Sequence, residues 1–285
     1  MTSQAAIEFG FVRTLAGELS SGSLELPSFP DVALRVKRAL EDPGASADRV
    51  VRVVGVEPVL SARLLKMANS ALLSRANVPV TDVRMAITRL GFDMVRNAAV
   101  SLALEQVMDA QVTPLRQPYL KELWHHSIRV SAIAYVVAKT LTRLNADEAM
   151  LGGLLHDIGK LYILMRAESH PELFAEEQSL RALLAEWHTG IGRAILESWG
   201  FSDGLAQAVD EHESLDRTHL GPPDLTDVVT VANVLAHNDR PERFAGLDHK
   251  GVPAFDKLQL TAEISTAILE NSEAEMRSFI QALDG

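Results

Sequence analysis

Apolar and polar positions alternate with a helical period along most of the chain, and no strand-like alternation runs long enough to nucleate a sheet. From Asp31, the residues Val32, Leu34, Val36 and Leu40 share one apolar face, and Asp42-Pro43-Gly44 stops that helix. Ser46 stands where an N-cap belongs for a helix running to Val54, with Asp48 and Arg49 in its polar first turn. Pro58 suits a first helical turn, after which Leu60, Leu64, Leu65 and Ala68 recur on one side until Asn69. There the Asn69 amide can satisfy loose carbonyls at the helix end. Thr81 is the expected cap of a helix ending at Leu90-Gly91, a sharp turn into a further helix from Phe92 to about Met108.

Pro114 and Pro118 make 112–118 the best internal boundary. Beyond it the periodicity predicts helices near 120–144, 147–155, 156–165, 180–199, 202–212 and 225–237. A loop rich in Pro, Gly and charge is expected over 240–256. The amphipathic stretch 258–283 reads as one broken or two short helices, with Ile264, Ala267, Ile268, Met276 and Ile280 packing on the core. The expected fold is all-α in two lobes: an N-terminal helical lobe over 1–115, a second helical bundle over 116–240, and a C-terminal loop and helices over 241–285.

Composition supports packed helices, because 47% of residues are hydrophobic but only 5% aromatic, and sheets favour aromatic and β-branched residues. With 27 basic against 38 acidic residues the net charge is −11, which argues against a general nucleic-acid binder. The modest basic cluster of Arg35, Lys37, Arg38, Arg49 and Arg52 reads as a solvated face. The first 20 residues lack the pattern of a signal peptide, and no uncharged apolar run reaches the length of a membrane span, so a soluble cytoplasmic protein is expected.

Nine histidines and no cysteine narrow the chemistry. Any metal must sit on His, Asp, Glu or Asn. The sharpest local signal is Leu154-Leu155-His156-Asp157-Ile158-Gly159-Lys160-Leu161, where an imidazole and a carboxylate interrupt an apolar segment. Burying such a pair costs several kcal/mol (about 2–7 per uncompensated polar group) unless it is paired, hydrogen-bonded or metal-bound. Lys160, one turn after His156, would turn its ammonium toward an anion at the site, and Gly152 and Gly153 would let a neighbouring helix approach closely. His126, His188 and His212 lie on other helices, and convergence of ligands from several helices is how bundle proteins build core metal sites. His125 is expected on the solvent side of His126, and His170, His219, His237 and His249 in or beside surface loops.

The runs His126-Ser127-Ile128-Arg129-Val130 and Leu155-His156-Asp157-Ile158-Gly159-Lys160 resemble the HD superfamily, whose catalytic members are metal-dependent phosphohydrolases. Leu26-Pro27-Ser28-Phe29-Pro30, Leu64-Leu65-Lys66-Met67-Ala68-Asn69-Ser70 and Ala86-Ile87-Thr88-Arg89-Leu90-Gly91, followed in order by Trp199 and Ala232-Asn233, are similar to the HDOD domain. The resemblance covers roughly residues 24–237. It implies a bacterial signalling or regulatory module, without established catalysis, that acts through signalling partners or a small-molecule or nucleotide ligand.

The resemblance also implies a ligand set. His126, His156 and Asp157 match the superfamily's metal positions, and Asn233 falls where enzymes place the last Asp. His188 and His212 match additional histidines of the HD-GYP phosphodiesterase branch, and Glu122 fits that branch's extra carboxylate. If the protein is an enzyme, Asp157 and Lys160 are its catalytic pair, with Lys160 contacting phosphate. The Gly-Tyr-Pro signature is absent after His212, Glu211 replaces the first His of a His-His pair, and Asn233 removes a carboxylate. Two divalent ions would bring +4 against one well-matched carboxylate, Asp157, so one ion or none is easier to hold. Imidazole-rich ligation suits Fe, Zn, Ni or Mn better than Ca or Mg. The expected protein is thus a regulator with an optional divalent metal, and the alternative is a metal-dependent phosphohydrolase acting on a nucleotide or other phosphate ester.

Overall fold

The structure, a computed structural model, describes residues 3–21, 31–41, 46–73, 79–110, 113–167, 170–237 and 251–283. Among them there is no strand, and the chain is all-α. The helices are α1 (Ser3–Ser21), α2 (Asp31–Glu41), α3 (Ala47–Gly55), α4 (Pro58–Asn69), α5 (Val83–Leu90), α6 (Phe92–Ala110) and α7 (Gln117–Leu141). They continue as α8 (Ala146–Leu155), α9 (Ile158–Arg166), α10 (Glu177–Ser198), α11 (Asp203–Glu211), α12 (Leu225–Ala236), α13 (Pro253–Lys257) and α14 (Ala262–Leu283), with a 3-10 turn at Pro171–Phe174 before α10.

Most ends follow from local chemistry. Ser46 caps α3 by accepting from the Arg49 amide at 3.3 Å, and Ser202 caps α11 by accepting from Leu205 N. Asp82, not Thr81, caps α5, accepting from the Met85 amide at 2.8 Å; the carboxylate sits one residue closer to the loose amides. Helix α7 starts at Gln117, so Pro118 lies in its first turn, where a missing N–H costs nothing, and the expected break is shorter than read. The expected loop over 240–256 gives way to α13 at Pro253, and α14 is one continuous helix rather than a broken pair. Among the described side chains of α14, Ser265, Phe279, Ala282 and Leu283 are buried and Ile268, Met276 and Ile280 pack half-buried against the core as expected, while Ile264 and Ala267 are exposed. Among the described side chains of α1, Phe11 and Leu15 are buried, Val12 packs half-buried against the core and Phe9 is exposed. The stop at 42–44, the motif at 26–30 and His249 lie outside the described residues.

Helix α7 is the spine. One face joins a continuous apolar cluster that runs from α1 through α2–α6 into α8–α11. Its other face, with Val130, Ile133 and Val137, packs on Val231 and Leu235 of α12 and Phe255 of α13. Asn69 ties down the segment after α4: its Nδ2 donates to Leu65 O and Val80 O, both at 2.9 Å, and its Oδ1 accepts from Val80 N at 2.8 Å. Lys37 of α2 donates to Trp199 O at 2.6 Å, at the C-terminal end of α10.

Two glycines set the position of the His-Asp pair. A Cβ on Gly153 would lie 2.7 Å from Ser131 Cα, so α8 crosses α7 backbone to backbone. A Cβ on Gly159 would lie 2.0 Å from the His188 carbonyl oxygen, so α9 presses on α10 in the same way. His156 and Asp157 fall between these crossings.

Candidate metal centre

Five of the expected ligands meet in one place. His156 Nε2 lies 3.2 Å from His126 Nε2 and 3.3 Å from Asp157 Oδ2. His188 Nε2 lies 3.3 Å and His212 Nε2 3.7 Å from Asp157 Oδ1, and the two Nε2 atoms are 3.4 Å apart. The Asp157 carboxylate therefore sits between two imidazole pairs. Asn233, the sixth expected ligand, places Oδ1 3.0 Å from His126 Nε2. Lys160 is at the site too, its Nζ donating to Asp157 Oδ2 at 2.7 Å.

The backbone sets three of the ring orientations. Nδ1 of His156 donates to Gly153 O at 2.7 Å, that of His188 to Leu184 O at 2.8 Å, and that of His212 to Val209 O at 2.8 Å. A carbonyl can only accept, so each of these rings carries its proton on Nδ1 and, when neutral, turns a bare Nε2 lone pair inward. Burial favours the neutral form: it holds His126 down at about 2 and His188 at about 4, and lowers His212 below the usual imidazole range. Burial would by itself raise the Asp157 carboxyl, but the His156 imidazole and the Lys160 ammonium outweigh it and hold the group ionised, well below the usual carboxylate range.

These donors fit a cation. Asp157 Oδ1 is fully buried without a hydrogen-bond partner, although the bare nitrogens of His188 and His212 face it. Lone pairs aimed at an ionised oxygen repel one another unless a positive charge lies among them. Histidine tied through Nδ1 to a carbonyl is also the usual posture of a metal ligand.

A cleft of about 660 Å³ opens onto the centre, and Asp157, Lys160, His126, Arg129, Arg181 and Tyr119 are among its lining residues. Glu122 lines this cleft rather than joining the ligands, and it is paired with Arg181 at 3.1 Å. Glu211 also lies apart, bound by Arg217 at 2.5 Å. The carboxylate that does approach is Glu213, whose Oε1 is 3.7 Å from His188 Nε2 and 4.0 Å from His212 Nε2. Its place in Glu211-His212-Glu213, one residue past a ligand, was the signal available in the sequence.

His125 is exposed, as expected. His237 is not a surface residue: it caps α12 from inside, donating to Asn233 O at 2.8 Å, and its ring centroid lies 4.4 Å from that of His126. His219 is half-buried in a knot with Asp227 and Lys257, at 2.8 Å from each. Its position next to Asp224 and Asp227 puts three potential ligands together, but Arg217 already bonds both carboxylates.

Comparison with known proteins places this architecture. The HDOD domain model matches residues 26–215. The solved structure of a "Putative metal-dependent phosphohydrolase" from Shewanella amazonensis SB2B is 30% identical, covers 98% of this chain and 99% of its own, and superposes with a TM-score of 0.78. An HDOD domain protein of unknown function from Geobacter sulfurreducens is 27% identical over 95% of this chain and 97% of its own, with a TM-score of 0.67. A curated relative, an uncharacterized protein of Treponema pallidum (strain Nichols), is 22% identical over 237 residues, and the chain spans 44% of its length. No helix among the described residues is long and apolar enough to cross a membrane. The matched span runs from the sequence motifs ahead of α2 to the loop after α11 and contains His126, His156, Asp157, His188 and His212: the chain belongs to the HDOD domain family.

Proposed function

We propose that this protein is an HDOD-type regulatory module that holds a divalent transition metal and acts through signalling partners or a small phosphate-bearing ligand, without turnover. The observation that carries the metal is the Asp157 carboxylate set between two imidazole pairs, with three of the four rings locked so that Nε2 faces inward. The candidate ligands fall in two groups that share Asp157, with His126 and His156 on one side and His188 and His212 on the other, and either nitrogen-rich set favours Fe, Zn, Ni or Mn over Mg or Ca. When bound, such an ion supplies Lewis-acid polarisation of a phosphate oxygen. Lys160, Arg129 and Arg181 add positive charge to the cleft of an otherwise acidic protein, which suits an anionic ligand. The lobe division near residue 115 and action in the cytoplasm belong to the same reading.

A metal-dependent phosphohydrolase is the second reading, favoured by the cleft, which lets an ester reach Asp157 and Lys160. Against turnover stands Asn233, an amide beside His126 where the superfamily's enzymes carry a carboxylate. Elemental analysis of protein purified without chelator tests the first statement: about one or more transition-metal ions per chain, lost in Asp157→Ala, is the expected result. Metal-free protein that takes up no Mn, Fe, Zn or Ni would refute it. A panel of phosphate esters with added Mn or Fe separates the readings, because turnover lost in His156→Ala would replace the regulator with the enzyme.

A further inference from the structure

The two sides of Asp157 are not equivalent. On the Oδ2 side the carboxylate oxygen has a cation already: Lys160 donates to Oδ2 at 2.7 Å, and His126 Nε2 has the Asn233 amide oxygen at 3.0 Å as its acceptor. An ammonium in that position also repels a second cation. The Oδ1 side differs. Oδ1 has no hydrogen bond, both imidazoles there spend their Nδ1 protons on carbonyls, and Glu213 brings a second carboxylate to the same two nitrogens.

Spacing and charge agree. The donor separations on this side are 3.3, 3.4, 3.7, 3.7 and 4.0 Å. Ligands about 2.0–2.2 Å from a four-coordinate ion stand roughly 3.3–3.6 Å apart, a spacing that Asp157 Oδ1, His188 and His212 already approach and that Glu213 would reach by turning its carboxylate inward. Glu213 adds a second carboxylate on this side, whereas His126 and His156 bring none to the other, where the Lys160 ammonium already offsets the one carboxylate the two sides share. Resting on the metal-site reading above, we infer that the chain holds a single ion on the Oδ1 side of Asp157, with His188, His212 and Glu213 as its other ligands. Glu213 thereby supplies the carboxylate that Asn233 no longer does.

The test is titration of the full-length, chelator-stripped protein with Co(II), read by visible absorption and by stoichiometry. The expected result is one ion per chain with the intense bands of a four-coordinate site. Glu213→Gln should weaken Co(II) binding at least tenfold, Glu213→Asp should weaken it less, and His126→Asn should leave it within about threefold. Circular dichroism of each variant checks folding, and Glu213 is exposed enough for the isosteric change to be tolerated. Loss of binding in His126→Asn with Glu213→Gln unaffected would overturn the inference, as would two ions bound with equal affinity. Absence of any Co(II) binding by the wild type would instead refute the metal-site reading itself.

Discussion

Gly159→Ala places one methyl group where α9 and α10 meet. The new Cβ would stand 2.0 Å from His188 O, 2.8 Å from His188 C and 2.9 Å from Gly192 N. Non-bonded carbon contacts settle at about 3.5–4.0 Å, so the helices must part by more than about 1 Å. All three obstructing atoms are backbone, and no rotamer change relieves them. Overpacking a core costs about 1–3 kcal/mol and more where backbone must move, while the gain in helix propensity from Gly to Ala is at most about 1 kcal/mol. A net loss of about 2 kcal/mol or more is expected. Gly190→Ala is the control: it lies in α10, two residues after His188, with nothing within 4 Å of its Cβ, and should be neutral or stabilising by up to about 1 kcal/mol. Urea unfolding followed by circular dichroism measures both. Because the displaced carbonyl belongs to His188, Gly159→Ala should also weaken metal binding in whatever fraction stays folded. Equal stability of the two variants, within about 0.5 kcal/mol, would refute the backbone-to-backbone crossing and with it the account of how His188 reaches Asp157.

Metal-free protein should lose stability as the pH falls from about 6.5 toward 4. His188 titrates at about 4 when folded and near 6.5 when unfolded, so in that window the unfolded chain binds more protons; this one group contributes about 3 kcal/mol above pH 6.5, with His126 and His212 acting in the same direction, and a melting temperature flat across the window would contradict it. Asn69→Ala should cost about 2 kcal/mol by removing the three hydrogen bonds that hold Leu65 and Val80, with metal content unchanged; loss of metal in this variant would show that the HDOD-like Asn69-Ser70 motif does more than hold a helix end. Adding Zn(II) or Mn(II) at a hundred times its dissociation constant should stabilise the stripped protein by about 2.7 kcal/mol, seen as a melting-temperature rise of several degrees that is absent in Asp157→Ala.

Helices with a clear apolar stripe and a polar cap, such as α2, α3 and α4, were legible because their own side chains specify them. Local chemistry misplaced what a neighbour decides. Thr81 and Asp82 are both competent caps, and only the path into α5 selects the second. Among its described side chains helix α1 buries Phe11 and Leu15, which leave no clear stripe, and α14 is held straight by packing that no window of sequence contains. His237 sits next to a loop in the sequence, yet the turn of α12 carries its ring onto His126.

At the site, residue type and spacing were enough to name His126, His156, Asp157, His188, His212 and Lys160, since a carboxylate and imidazoles placed in apolar helices demand compensation. They could not say that Glu122 and Glu211 are taken by Arg181 and Arg217, nor that Glu213 is the carboxylate facing the pair. The sequence by itself determined the helical class through its periodicity, marked His156 and Asp157 through the cost of burying polar groups, and gave the family and the remaining candidate donors through the motifs it shares with HD and HDOD proteins. Only the tertiary structure decided which donors converge and on which oxygen of Asp157. That depends on two helix crossings at Gly153 and Gly159 and on backbone carbonyls that choose each imidazole's proton, and neither is a property of any one segment.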